Sequence, residues 1–103
     1  MPVQKKLNKK ERNMGGPYFL PALLAAKQAR VMVSVYFTDD PDSHMCGYVL
    51  DATSDGITLE HYTPDACPDG QVLVRTDRVF HVDIDGRYER RIALLAKHYS
   101  ELA

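Results

Sequence analysis

Val31-Met32-Val33-Ser34-Val35-Tyr36-Phe37 is the stretch on which the fold turns. Val31, Val33, Val35 and Phe37 alternate with Met32, Ser34 and Tyr36, a period of two rich in β-branched residues that predicts a strand. Just upstream, Ala22-Leu23-Leu24-Ala25-Ala26-Lys27-Gln28-Ala29 is built from strong helix formers. Pro21 fits the first turn of that helix, where its missing N–H costs no hydrogen bond. Downstream, Asp39-Asp40-Pro41-Asp42-Ser43 reads as a turn, and a second strand runs from about Met45 to Ala52. Gly47 inside it marks a bend or a close backbone approach.

Ser54-Asp55-Gly56 reads as a hairpin turn, with Gly56 available for a positive φ. A third strand follows over Ile57 to Tyr62. Thr63 to Gly70 reads as a loop, Gln71 to Arg75 as a fourth strand, and Val79 to Ile84, after a short Thr76-Asp77 corner, as a fifth. Tyr88, Ile92, Leu95, Tyr99 and Leu102 fall at spacings of 4, 3, 4 and 3, one apolar stripe on a final helix. Arg87, Glu89, Arg90, Lys97 and Glu101 lie off it. The stripe is expected to dock on its own domain, with a neighbouring subunit or a protein partner as the other ways to cover it. Helix, five short antiparallel strands with a bent second strand, and helix predict a mainly β chain forming a small, partly open barrel. An OB-fold would place a helix between the third and fourth strands, where this chain has only a loop.

With 103 residues the chain builds one domain with one core, and 45% hydrophobic against 26% charged residues argues for a folded one. Its thirteen Lys and Arg against fourteen Asp and Glu exclude a uniformly basic nucleic-acid binder. The charge is nonetheless segregated. Residues 1–13 hold Lys5, Lys6, Lys9, Lys10 and Arg12 against Glu11, a net +4, whereas the other ninety residues carry a net −5. The division expected is a basic flexible tail over residues 1–16, the barrel over 17–86 and the C-terminal amphipathic helix over 87–103. No apolar run approaches the roughly 20 residues that cross a bilayer. The first apolar block, Tyr18 to Ala26, is broken by Pro21 and lies far from Met1, so no signal peptide is read and a cytoplasmic location is expected.

Catalytic and metal chemistry find no motif. His44, Cys46, His61 and Cys67 match no zinc-ligand spacing, and two cysteines are too few for a disulfide framework. Asp83-Ile84-Asp85-Gly86 opens like a calcium loop, but its Gly comes too early and no twelfth-position Glu follows. Neither a P-loop nor a dinucleotide fingerprint is present. No enzyme activity and no cofactor are expected.

The order of elements resembles that of Sm-like proteins. Val31-Met32-Val33-Ser34-Val35-Tyr36-Phe37 is similar to the first strand of the bacterial Hfq-like branch, which reads Val-x-Val-Ser-aliphatic-Tyr-aliphatic. Pro21 to Arg30 runs ungapped alongside that branch's helix. Gly47-Tyr48-Val49 matches the opening of its second strand, and Val74 to Val82 its fourth strand, corner and fifth strand. The resemblance covers about residues 20–84. It implies a five-stranded, strongly bent antiparallel small barrel with an N-terminal helix, here with an extra C-terminal helix. Its fourth and fifth strands would pair with those of neighbouring copies in a homo-oligomeric ring, a hexamer first of all, that binds single-stranded RNA without enzymatic chemistry.

The resemblance also marks RNA-binding positions. Tyr36 matches the tyrosine of one face, while Lys27 and Arg30 keep part of the basic rim. At the other face the base-stacking aromatic falls near Gly56, and the cationic corner reads Thr76-Asp77, flanked by Arg75 and Arg78. Losing a stacking aromatic forfeits roughly 1–3 kcal/mol per base. Binding is therefore expected to be weak or atypical, with the Lys5, Lys6, Lys9, Lys10 and Arg12 arms gathered around a ring as the remaining source of attraction. The alternative is an oligomeric protein-interaction scaffold that keeps the barrel and has lost RNA binding.

Overall fold

The computed structural model describes residues 15–102, with side chains from Phe19 onward. In chain order it holds helix α1 (Gly15–Ala29), strands β1 (Met32–Phe37), β2 (Asp40–Ala52), β3 (Gly56–Tyr62) and β4 (Pro68–Arg75), a 3-10 turn (Thr76–Arg78), strand β5 (Val79–Ile84) and helix α2 (Arg87–Leu102). The strands form one antiparallel sheet in the order β4-β3-β2-β1-β5, in which β4 and β5 are the two margins and do not pair with each other. One helix packs on each face. No helix among the described residues is long and apolar enough to cross a membrane.

α1 is longer than the sequence predicts. It starts at Gly15, so the boundary drawn after residue 16 falls inside a helix and Pro21 sits in its interior, forgoing one backbone hydrogen bond near its start. At its other end Arg30 takes a left-handed conformation (φ 58). The Arg30 N–H then donates to the Lys27 carbonyl and the Val31 N–H to that of Ala26, both at 3.2 Å. Those two bonds satisfy carbonyls the helix end leaves open and turn the chain directly into β1.

β1 lies between β2 and β5, and its alternation is buried on both sides. Val33 and Val35 face α1, where Leu23 and Ala26 join Val49, Ile57, Leu59, Val74 and Val79 in the main core. Met32 and Ser34 face α2, where Met32, Cys46, Ala66 and Ile92 form a second cluster with Tyr48, Tyr62, Tyr88 and Leu95 around it. The final helix therefore docks on its own sheet, as its stripe predicts, although Tyr99 and Leu102 at its far end remain exposed.

Three boundaries differ from the sequence reading. β2 begins at Asp40, so the hairpin turn shrinks to residues 38–39 and the rest of the polar cluster joins the strand. Its pairing with β1 jumps from Tyr36↔His44 to Phe37↔Asp40, which leaves Pro41, Asp42 and Ser43 without a partner in that ladder. β4 begins at Pro68 instead of Gln71, after a turn in which Ala66 is left-handed (φ 65) and buried. The β2–β3 hairpin uses Thr53, whose Oγ1 accepts from the Asp55 and Gly56 N–H groups. Gly56 itself begins β3 without a positive φ. Gly47 does mark a close approach, since a Cβ there would lie 2.1 Å from the Glu60 carbonyl oxygen.

Candidate functional site

Strand register collects the polar and aromatic side chains on the α2 face. Tyr36 of β1 stands opposite His44 of β2 and His81 of β5, and Ser34 opposite Cys46 and Asp83. The Tyr36 ring stacks on His44 at 5.0 Å and meets His81 edge to face at 4.9 Å, while His44 meets Tyr88 of α2 at 5.2 Å. His81 Nε2 lies 2.9 Å from Asp83 Oδ1. Burial, then the hydrogen bond and charge of Asp83, push the Tyr36 hydroxyl above its ordinary pKa. Burial does the same for Tyr88. Tyr36 is thus a half-buried tyrosine with His44 already against its ring.

Beneath this cluster Ser34 Oγ donates to Glu89 Oε2 at 2.5 Å, and Glu89 Oε1 accepts the Gly86 N–H at 2.8 Å. Glu89 is 3% exposed, which corrects its assignment to the polar side of the helix. The carboxylate occupies the third position of α2 and closes back on the residue that precedes the helix, half of a capping box. Its second oxygen latches the helix to β1. The Gly86-x-x-Glu89 spacing was the sequence signal for it. Burial pushes the adjacent Cys46 thiol up to about 11, with the Ser34 hydrogen bond opposing and the Glu89 charge adding to that shift.

The RNA-directed residues are not brought together. Lys27 pairs with Asp51 at 3.8 Å. Arg30 sits over the Tyr48 ring, 4.8 Å from its centroid. At the β4–β5 corner Arg75 pairs with Asp77 at 2.6 Å, and Arg78 pairs with Asp39 of the first hairpin. All four cations are matched within the chain, and Tyr36 belongs to a separate cluster. Lys5, Lys6, Lys9, Lys10 and Arg12 lie outside the described residues. His44, Cys46, His61 and Cys67 stay apart, with His61 beside Asp69 and Cys67 exposed. No group of three His, Cys, Asp or Glu that could hold a metal occurs among the described residues.

The β4 margin borders an open groove of about 490 Å³ whose lining includes Phe37, Met45 and Leu73 beside Asp39, Arg75 and Arg78. Leu73 on this margin is 82% exposed, and Phe80 and Ile84 on the β5 margin are 49% and 39% exposed. Both free edges of the sheet therefore show apolar side chains to solvent. No family model and no curated protein matches the chain.

Proposed function

We propose that the chain is an Sm-like subunit that joins β4 of one copy to β5 of the next and closes a ring, and that this ring serves as an oligomeric scaffold. The carrying observation is the pair of unpaired margins, β4 with Leu73 and β5 with Phe80 and Ile84, at opposite ends of one sheet. An uncovered strand edge is a template for pairing, and head-to-tail pairing of identical copies removes every such edge. The groove beside Leu73 gives the neighbour's Phe80 an apolar seat.

Connectivity supports the strongly bent sheet this reading needs. In a flat five-stranded sheet the margins lie four strand spacings apart, roughly 19 Å. The link between β4 and β5 is a three-residue 3-10 turn, which rises only about 6 Å. The proposed ring therefore needs the sheet to bend until those strand ends approach. Scaffolding is favoured over RNA binding at the positions the resemblance marks, because Lys27, Arg30, Arg75 and Arg78 are all engaged within the chain. RNA binding through the +4 arm is the second reading, carried by the charge of residues 1–13.

Directional crosslinking tests the assembly. In a Cys67→Ser background, Leu73→Cys and Phe80→Cys chains are treated with a bismaleimide separately and mixed. Head-to-tail joining predicts crosslinked dimers chiefly in the mixture. Equal crosslinking of each variant alone, or none in the mixture, contradicts it.

A further inference from the structure

The four cations of the final helix are in a different state from those of the sheet. Arg87, Arg90, Arg91 and Lys97 are exposed, and none has an ion-pair partner among the described residues. With Leu94, 68% exposed, they recur at three- and four-residue spacings along the exposed side of α2, Arg91 on its flank beside Ile92, a stripe about 15 Å long from Arg87 to Lys97. Only Glu101, near the helix end, interrupts its charge. Residues 15–86, by contrast, hold four cations and eleven acids. Among the described residues a polyanion is repelled by that body and attracted along α2, while residues 1–13 carry a net +4 of their own.

We infer that the outer face of α2 is a phosphate-tracking surface for single-stranded nucleic acid. Three of its four cations are arginines, whose planar guanidinium groups bond phosphate oxygens in pairs and stack on bases. The face carries one apolar side chain, Leu94, and so lacks the charge-depleted apolar centre of a protein interface. A straight row of cations on a helix suits a linear phosphodiester, which is read through its charge with little sequence preference. This surface does not depend on ring formation and involves none of the positions the Sm-like resemblance marks.

The test is a polarisation titration of the full chain with fluorescent oligo-U at about 50 and 200 mM salt, where each phosphate contact on a single strand adds about 0.7 to the salt slope. The triple variant Arg90→Ala, Arg91→Ala, Lys97→Ala should keep its thermal unfolding and lose about tenfold or more in low-salt affinity, with the slope falling by about 2. A second variant, Lys5→Gln, Lys6→Gln, Lys9→Gln, Lys10→Gln, Arg12→Gln, should retain the part of the binding that depends on α2. An unchanged affinity and slope in the triple variant would overturn the inference. So would complete loss of binding in the arm variant. Capture of poly-glutamate without oligo-U binding would overturn it too, reassigning the face to acidic proteins.

Discussion

Beneath α1 the sheet packs Val33, Val35, Val49 and Leu59 against Leu23 and Ala26. Beneath α2 the apolar cluster is smaller, and Ser34 is buried against Glu89 beside it. The first face is stabilised in proportion to area removed from water and has little directional preference. The second is directional: Glu89 has one oxygen on Ser34 and the other on the Gly86 N–H, so α2 docks in a single register. Apolar burial supplies the greater share of stability. The polar latch sets where a helix sits, and with it where that helix's cations point.

Substitutions on the two faces should separate these roles. The largest effect is expected at Leu59, fully buried under α1. Leu59→Ala should cost about 2–5 kcal/mol in denaturant unfolding, whereas Leu94→Ala on the exposed side of α2 should stay within about 0.5 kcal/mol. Gly47→Ala comes next, because its Cβ would meet backbone of β3 that cannot swing aside. A loss of about 1–3 kcal/mol is expected, and a neutral result would show that the β2–β3 contact yields readily.

On the α2 face, Glu89→Ala strands both the Ser34 hydroxyl and the Gly86 N–H, at a cost of about 1–3 kcal/mol. Ser34→Ala should cost less, since Glu89 keeps its bond to Gly86. A double-mutant cycle should show the two changes falling short of their sum; strict additivity would mean the latch contributes nothing as a pair.

The smallest effect concerns Cys46. Its folded pKa is raised, so the thiol stays neutral in the native state while the unfolded chain ionises from about pH 9. Stability contributed by the neutral thiol is full below pH 9 and declines as pH rises toward 11. A Cys46→Ala variant should lose that alkaline decline. Iodoacetamide at pH 8 should modify exposed Cys67 well before buried Cys46.

Much of the fold was legible because its signals are local. β1 announces itself since alternate residues fill two faces, and α2 since Tyr88, Ile92 and Leu95 repeat with the helix. Features set by distant partners were not legible. Asp40 to Ser43 carry no apolar alternation, so their membership in β2 shows only once β1 lies beside them. The stripe extends to Tyr99 and Leu102, yet those residues remain exposed. The spacing from Gly86 marks Glu89 as a helix-start carboxylate, but its bond to Ser34, fifty-five residues earlier, shows only once the chain folds. The candidate site was least legible of all. Arg78 reads as a flank of the Thr76-Asp77 corner, and only folding brings Asp39 to it. Arg87, Arg90 and Lys97 read only as residues off the apolar stripe, and the pairing of the other cations sets them, with Arg91, apart.

The joining of sheet margins is tested most directly by the mass of the full chain in solution, measured by multi-angle light scattering at micromolar concentration. One discrete particle of several times 11.6 kDa, unchanged on dilution, is expected. A particle of 11.6 kDa, with β4 and β5 left open to solvent, would contradict it.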